Sequence, residues 1–188
     1  MGRWQPNAQG RLGEAAMDLF AERGFEQTTV AEIAIRAGLT ERTFFRHFTD
    51  KREVLFAGSA VLRERFVSAV AGAPDSATAM QAVMSGVDAA ASLLEGERGR
   101  EFARRRQQVI AENPELRERE LIKLAGIAAA LAGTLRERGV DEPRASLSAE
   151  LGVSVFRIAF ERWVADGSER SLPELIQEAR NGLVEVVG

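Results

Sequence analysis

The sequence predicts an all-α protein of about nine helices. Pro is scarce and Tyr is absent from the 188 residues, whereas Ala, Leu, Glu and Arg, which favour helices, are abundant. Apolar residues recur at the spacing of one helix face along most of the chain, and no segment shows the alternation of a strand. We therefore expect a short N-terminal domain of three helices followed by a larger helical domain.

Composition restricts the classes of protein that this chain can belong to. The absence of Cys excludes disulfides and thiolate metal sites. No apolar run reaches the roughly 20 residues of a membrane span, and the first residues, "MGRWQPNAQGR", lack the apolar core of a signal peptide. We expect a cytoplasmic protein that has no contact with membranes.

Charge is distributed unevenly along the chain. The net charge is -3, yet residues 35 to 52 contain five Lys or Arg against two acids, a local charge of +3. Screening limits the reach of exposed charges to about 8 to 10 Å. A local basic patch on an acidic protein is therefore compatible with binding to a polyanion.

The first three predicted helices are short and have clear boundaries. Gly24 ends the first helix. Thr29 begins the second, and Glu32 lies three residues later, which is the pattern of a capping box. Gly38 ends the second helix, and Thr40 caps the third only two residues further on. Two helices joined by a tight Gly-containing turn form a helix-turn-helix.

The third helix, about residues 41 to 48, is predicted to enter the DNA major groove. Phe44 and Phe48 anchor it to the domain. Five other residues face outward or sideways: Glu41, Arg42, Thr43, Phe45 and Arg46. Arg can bind guanine, Glu can accept from cytosine, and Thr or Phe can touch the thymine methyl. Thr29 and Lys51 begin helices, where backbone N–H groups favour a phosphate.

Residues 16 to 55, "AMDLFAERGFEQTTVAEIAIRAGLTERTFFRHFTDKREVL", resemble the N-terminal DNA-binding domain of TetR-family transcriptional regulators. The resemblance implies a DNA-binding domain over residues 1–50 and a helical ligand-binding and dimerisation domain over 51–188. It matches Thr29 and Lys51 to phosphate contacts, residues 41 to 43 to base reading, and His47 to a backbone contact. The complete expected DNA-binding set is Thr29, Thr40, Glu41, Arg42, Thr43, Phe45, Arg46, His47 and Lys51.

One position departs from the family pattern. The family usually has Tyr, whose hydroxyl binds a phosphate, where this chain has Phe45. The phenyl ring cannot make that bond, although it can pack on a sugar or a thymine methyl. Two alternatives therefore stay open: a packed helical domain with a solvated basic face, and a helical small-molecule-binding or adaptor protein that recognises no defined operator.

The remaining helices are expected to form the larger domain. Their predicted ranges are about 51 to 71, 76 to 95, 100 to 111, 114 to 138 and 144 to 165, with a last helix from about Leu172. The helix over 51 to 71 is the only continuous element that joins the two domains along the chain. We expect it to transmit ligand binding to the helix-turn-helix.

The helix over 144 to 165 carries two apolar stripes on nearly opposite sides, so it must be buried on both. One stripe and the last helix are expected to form a four-helix dimer contact with a second copy. The expected interface residues are Leu147, Leu151, Val155, Ile158, Leu172, Leu175, Ile176 and Ala179. Burial of both stripes within one chain stays open.

An apolar set in the larger domain indicates a hydrophobic small-molecule effector: Phe66, Met80, Met84, Phe102, Ile122 and Phe156. The same spacing is compatible with plain core packing. The strings "RRRQQVIAENPELRERE" and "AELGVSVFRIAFERWV" resemble a C-terminal group that binds acyl-CoA-like ligands. Arg104, Arg105 and Arg106 could hold phosphates or form a salt-bridged surface, and the small residues 125 to 133 could allow close helix contact or leave room for a ligand.

Motifs for catalysis are absent. The sequence has no G-x-S-x-G, H-E-x-x-H, P-loop or G-x-G-x-x-G pattern, and its single His has no partner at metal-ligand spacing. We expect no enzyme activity, no cofactor and no metal. The expected protein is a homodimeric repressor, released from a near-palindromic DNA operator by a hydrophobic, acyl-CoA-like small molecule.

Overall fold

The protein is described by a computed structural model over residues 8–97, 99–165 and 169–187. This part of the chain is all-α, as predicted, and contains no strand. The expected absence of a signal peptide concerns residues 1–11, and residues 1–7 of this segment lie outside the described part of the chain. The helices are α1 Ala8–Arg23, α2 Val30–Arg36, α3 Glu41–His47, α4 Lys51–Leu55, α5 Ser59–Ala71, α6 Ala79–Glu97, α7 Gly99–Glu112, α8 Pro114–Glu137, α9 Glu142–Val164 and α10 Leu172–Val187.

The chain forms two compact units. The N-terminal unit contains the described residues up to Gly58 together with Arg105–Arg117, and the C-terminal unit contains Ser59–Arg104 and the residues from Glu118 onward. We expected the boundary between the two domains after residue 50, so the observed division differs from the expected one. The short helix α4 and the turn between α7 and α8 belong to the N-terminal unit.

In the N-terminal unit, α1 packs against α2, α3 and α4. Leu12, Ile33 and Phe44 are completely buried between these helices. The local stop and start signals act as the sequence predicts. Thr29 and Glu32 form a reciprocal capping box at the start of α2, and Thr40 accepts a hydrogen bond from the backbone N–H of Thr43 at the start of α3.

The predicted continuous helix over 51 to 71 is wrong, because the chain leaves the helical conformation between α4 and α5. Phe56 has φ -109° and ψ 10°, and its side chain is buried. Arg106 Nε donates to the Leu55 carbonyl at 2.7 Å, which a continuous helix would pair with the N–H of Ser59. The Arg106 guanidinium also lies 5.2 Å from the centre of the Phe56 ring.

Helix α7 is continuous and contributes residues to both units. Its first part, to Arg104, belongs to the C-terminal unit, and its second part, from Arg105, belongs to the N-terminal unit. Ala103 is buried in the C-terminal core. We expected the segment over 51 to 71 to be the continuous element shared by both domains. That segment is interrupted between α4 and α5, whereas α7 is unbroken and has residues in both units.

The C-terminal unit is built by the packing of α5 on α6, α6 on α9, and α10 on both α9 and α6. Two glycines permit close helix crossings. A Cβ added at Gly86 would meet the Phe66 carbonyl oxygen of α5 at 3.0 Å, and one added at Gly152 would overlap the side chain of Val83 on α6. Among the described helices, none is long and apolar enough to cross a membrane.

Candidate DNA-binding surface and effector region

Helix α3 has one buried face and one open face. Phe44 is fully buried and lies 5.4 Å from the Phe48 ring, centre to centre, which fixes the helix to the N-terminal unit. Arg42 and Arg46 are exposed on the other side. Phe45 is 55% exposed and lies edge-on to Phe44 at 5.5 Å. The helix therefore presents two cations and an aromatic ring to solvent.

The two threonines at the start of α3 are engaged with each other. The hydroxyls of Thr40 and Thr43 lie 3.1 Å apart, and Thr40 Oγ1 accepts from the Thr43 N–H at 3.2 Å. Glu41 and His47 are exposed. Thr40 and Thr43 therefore have a structural role in the cap, while Glu41 and His47 remain on the accessible surface.

The basic residues of the 35 to 52 segment are not equivalent. Arg36 binds Glu22 through two hydrogen bonds. Arg52 pairs with Asp50 at 3.2 Å and with Glu115 at 3.4 Å. Burial raises the pKa of Asp50, but hydrogen bonds from Arg52 and from backbone N–H groups outweigh it and lower the pKa overall. These two cations are therefore neutralised within the N-terminal unit.

Arg42 and Arg46 differ from that pair. Neither makes a hydrogen bond or an ion pair with another residue in the part of the chain that the structure describes. An exposed guanidinium that keeps its five donors suits both phosphates and guanine edges. The cationic contribution of α3 to a polyanion site rests on these two side chains.

Lys51 makes contacts that differ from the expected phosphate contact. Its Nζ donates to the carbonyls of Phe25, Glu26 and Thr28, at 2.8, 3.1 and 3.1 Å. The ammonium also lies 4.4 Å from the centre of the Phe25 ring. The side chain is thus directed into the turn between α1 and α2.

Thr29 is exposed, yet its hydroxyl belongs to the capping box. It donates to Glu32 Oε2 at 2.8 Å, and the same carboxylate accepts from the Thr29 N–H at 2.9 Å. These backbone and hydroxyl donors lower the pKa of Glu32, with a smaller contribution from Arg23. A carboxylate therefore occupies the donors that a phosphate would use at the start of α2.

The expected effector residues fall into three environments. Phe66, Met84 and Phe156 are buried together in the core of the C-terminal unit, and the Phe66 and Phe156 rings lie 5.2 Å apart. Met80 packs against this cluster and Phe102 is half-buried. Ile122 is 63% exposed. It precedes the inward-facing Ile127 by five residues, which turns it about 140° away on α8.

The three consecutive arginines of α7 have separate partners. Arg104 binds Glu101 at 2.9 Å, Arg105 binds Asp18 at 2.7 Å, and Arg106 binds the Leu55 carbonyl. These contacts favour the salt-bridged arrangement over a phosphate clamp. The last two arginines attach α7 to α1 and to the end of α4 within the N-terminal unit.

The expected dimer residues divide between surface and core. Leu147 and Ile158 are 63% and 45% exposed on α9, and Leu151 is half-buried. Four others lie in the core of the single chain, so they cannot form a contact between copies: Val155, Leu172, Leu175 and Ile176. Ala179 packs against that core. The reason is that α10 uses its apolar stripe to pack on α9 and α6 of its own chain.

The small-residue segment of α8 lines an open groove rather than a tight helix crossing. The groove, of about 280 Å³, has an alanine floor formed by Ala125, Ala128, Ala129 and Ala132. Arg136, Glu142, Ser146 and Glu150 form its polar border. Hydrogen bonds from Arg136 and Ser146 lower the pKa of Glu142.

No group of His, Cys, Asp and Glu residues within the described ranges could hold a metal ion. Sequence reasoning missed the role of Arg106 at the end of α4 and of Glu115 beside Arg52. The run of arginines indicates a charged surface in the sequence. The neighbouring residues do not identify the Leu55 carbonyl, 51 residues away, as the partner of Arg106.

Two family models match this chain. Residues 12–57 match the model described as bacterial regulatory proteins of the tetR family. Residues 77–188 match the model described as the MftR C-terminal domain. The first match covers most of α1 and all of α2 to α4, and the second covers the described residues from just before α6 to α10.

Individual relatives agree with these matches. A protein of Mycobacterium tuberculosis, provisionally named a mycofactocin biosynthesis transcriptional regulator (MftR), is 25% identical over 100% of this chain and 93% of its own length. The transcriptional regulator TcmR of Streptomyces glaucescens is 40% identical over 40% of this chain and 33% of its own. The Thermus thermophilus repressor FadR, solved with lauroyl-CoA, has a TM-score of 0.55 and 25% identity, over 94% and 93% of the two chains.

Proposed function

The chain belongs to the TetR family of bacterial regulatory proteins, with a C-terminal domain of the MftR type, and from this we propose that it is a repressor that a small hydrophobic molecule releases from a near-palindromic operator. The observation that carries the proposal is the outer face of α3. Two arginines without an intramolecular partner in the described structure flank an exposed Phe45 on a helix that Phe44 holds in place. A protein that binds the chromosome in this way works in the cytoplasm.

The DNA contact is proposed to use Arg42 for base reading and Arg46 for the phosphate backbone. Glu41 lies beside Arg42 and can accept from a cytosine amino group. The exposed Phe45 ring can contact a thymine methyl or a sugar. His47 lies at the end of the helix, where its ring nitrogen can reach the backbone.

The operator is proposed to be read by a homodimer. In a symmetric dimer, two copies of α3 enter major grooves about 34 to 36 Å apart. The surface available for the dimer on α9 is the stripe formed by Leu147, Leu151 and Ile158. This stripe follows the spacing of one helix face, and contiguous exposed apolar surface is a mark of protein interfaces.

The effector is proposed to enter the apolar core of the C-terminal unit near Phe66, Met84 and Phe156. Aromatic rings and flexible methionines suit an apolar ligand. The similarity to FadR, which was solved with lauroyl-CoA, favours an acyl-bearing compound. Because Arg104, Arg105 and Arg106 are engaged elsewhere, the acyl chain rather than a phosphate group is proposed to supply the recognition.

The function is tested by fluorescence anisotropy with DNA that flanks the protein's own gene and with a random duplex of equal length. We expect the flanking DNA to bind at least about 10³-fold more tightly, which is the lower range for specific recognition. Equal affinity for both duplexes would favour the alternative of a small-molecule-binding or adaptor protein without a defined operator.

The effector is tested by titrating long-chain acyl-CoAs, free fatty acids and planar aromatic compounds into the protein–DNA complex. We expect release by acyl-bearing compounds with about a 5- to 150-fold loss of DNA affinity, the usual range of coupling. Release only by uncharged aromatic compounds would leave a hydrophobic effector and remove the acyl class.

A further inference from the structure

We propose that Lys51 is a positioning residue whose ammonium group closes the turn between α1 and α2 and so sets the start of α2, rather than a side chain that binds a DNA phosphate. The proposal rests on the DNA-binding function proposed above. It concerns the only lysine in the N-terminal unit, since Lys123 is the other lysine of the chain.

The hydrogen bonds of the ammonium group account for all its donors. A lysine ammonium has three N–H donors and no acceptor. Three backbone carbonyls lie at 2.8, 3.1 and 3.1 Å from Nζ, those of Phe25, Glu26 and Thr28, which are ordinary hydrogen-bond distances. A phosphate contact through Nζ would therefore require the loss of at least one of these bonds.

An aromatic contact adds to the hydrogen bonds. Nζ lies 4.4 Å from the centre of the Phe25 ring, within the range of a cation–π interaction. Phe25 is itself buried and packs against Phe20 of α1 at 5.1 Å between ring centres. The charge is therefore held against a ring that is anchored in the core of the unit.

Lys51 adds to the hydrogen bonds within the turn, where the Thr28 N–H donates to the Phe25 carbonyl at 3.3 Å. Residues 25 to 28 lie between α1 and α2, outside both helices, so their carbonyls need partners other than those of a regular helix. Thr28 is buried and its hydroxyl donates to the Gly24 carbonyl at 2.9 Å, which closes the turn from within. Gly24 has a positive φ of 85°, a conformation that glycine adopts without strain.

The position of the turn connects Lys51 to α3, the helix proposed to enter the major groove. The last carbonyl that Lys51 binds, that of Thr28, immediately precedes the Thr29 cap of α2. Helix α2 in turn packs against α3. Lys51 thus links the start of α4 to the start of α2, and its removal should loosen the support of α3 without removing a phosphate contact.

The test compares three single variants with the wild-type full-length protein: Lys51→Met, Arg46→Met and Lys123→Met. Methionine keeps an apolar stem and removes the charge in each. Affinity for the flanking duplex and for the random duplex is measured by anisotropy over a range of salt concentrations. Hydrogen exchange of the peptide covering residues 24 to 30 is followed by mass spectrometry in the absence of DNA.

We expect Lys51→Met to weaken binding by a similar factor at every salt concentration, with an unchanged slope of log affinity against log salt. Exchange in residues 24 to 30 should become roughly tenfold faster or more, because charge-assisted hydrogen bonds are lost. Arg46→Met should flatten the slope by about one unit, as a phosphate contact does, without faster exchange. Lys123→Met should change neither the salt slope nor the exchange of residues 24 to 30.

A slope reduced by about one unit in Lys51→Met, with unchanged exchange, would overturn the proposal and restore the phosphate contact. If the wild type binds neither duplex, the proposed function fails, while the exchange data still decide the role of Lys51 in the turn. If Lys51→Met does not fold, amine acetylation of the wild type without DNA decides: Lys51 must react at least about tenfold more slowly in the folded protein than in the same protein unfolded in urea, and equal rates would overturn the proposal.

Discussion

Arg36 on α2 and Glu22 on α1 form a bidentate ion pair, with 2.8 Å between Nη1 and Oε1 and 2.7 Å between Nη2 and Oε2. The hydrogen bonds from Arg36 lower the pKa of Glu22. This arginine therefore fixes one helix of the N-terminal unit to another. Its charge, which the sequence places in the basic patch, is already compensated within the unit.

The first prediction separates Arg42 from Arg36. Replacement of Arg42 by Ala should cost about 1 to 3 kcal/mol of operator binding and relax the preference at one operator position, as expected for loss of a guanine contact. Arg36→Ala removes the same charge but should leave the base preference unchanged. Both are measured by competition against single-base operator variants, and identical, sequence-independent losses would refute the division between the two arginines.

The second prediction concerns Phe45→Tyr. Because Phe45 is 55% exposed, we expect a hydroxyl added to its ring to reach solvent when DNA is absent and to donate to a phosphate when DNA is bound. We expect operator affinity to stay equal or to rise, with unchanged thermal stability. A sharp loss of affinity in an anisotropy titration would show that the ring packs against DNA where a hydroxyl cannot be satisfied.

The third prediction uses the close crossing of α6 and α9. Gly152→Ala should lower the free energy of unfolding by about 1 to 3 kcal/mol, the usual cost of overpacking, because the new Cβ would overlap Val83. Gly126→Ala is the matched control on α8, where no atom lies within 4 Å of the added Cβ, and should stabilise by about 0.5 to 1 kcal/mol. Equal denaturation midpoints for the two variants would contradict the tight crossing.

The fourth prediction tests the dimer surface on α9. Leu147→Glu places a charge on an exposed residue, so we expect a folded monomer by sedimentation at micromolar concentration. Leu175→Glu places the charge in the core of the C-terminal unit and should instead abolish the cooperative unfolding of that unit. If Leu147→Glu remains dimeric, the contact lies elsewhere, and the exposed Leu121 and Ile122 of α8 become the next residues to change.

The fifth prediction follows from the Thr29–Glu32 capping box. The Thr29 N–H and hydroxyl hold the pKa of Glu32 below its usual value, so between the folded pKa and about 4.3 the unfolded state binds more protons. The stabilisation is complete above that range and is lost as the pH falls through the folded pKa. In urea denaturation over a pH series, the free energy of unfolding of Glu32→Gln should vary less with pH than that of the wild type.

Glu26→Gln is the control for this pH series, since Glu26 is an exposed neighbour in the turn. Both variants lose one carboxylate in the same region, so a difference between their pH curves isolates the contribution of the capping box. Parallel curves for the wild type and Glu32→Gln would show that the capping carboxylate does not contribute to acid sensitivity.

Features set by neighbouring residues could be predicted from the sequence, whereas features set by distant residues could not. Thr29 with Glu32 and Thr40 with Thr43 are local caps, so the starts of α2 and α3 were placed correctly. At the break after α4, the Leu55 carbonyl accepts a hydrogen bond from Arg106, which lies 51 residues away. No periodicity within residues 51 to 71 contains that information.

The candidate site shows the same limit. The spacing of apolar residues predicts that Phe44 faces inward and Arg42 outward, because one helix has a fixed period. It does not reveal that Glu22 compensates Arg36 or that the turn carbonyls occupy Lys51, since both depend on tertiary contacts. On α9, two opposite stripes predict burial on both sides but not that α10 of the same chain provides part of the cover.

The continuity of α7 limits which insertions and deletions this chain can tolerate. Ala103 is buried in one unit, and Arg105 and Arg106 bind Asp18 and Leu55 in the other. One residue inserted between Ala103 and Arg105 would rotate every later side chain by about 100° around the helix axis. Both arginines would then lose their partners while Ala103 kept its place. The number of residues in α7 between Ala103 and Arg105 is therefore fixed by the partners that these residues have in the two units.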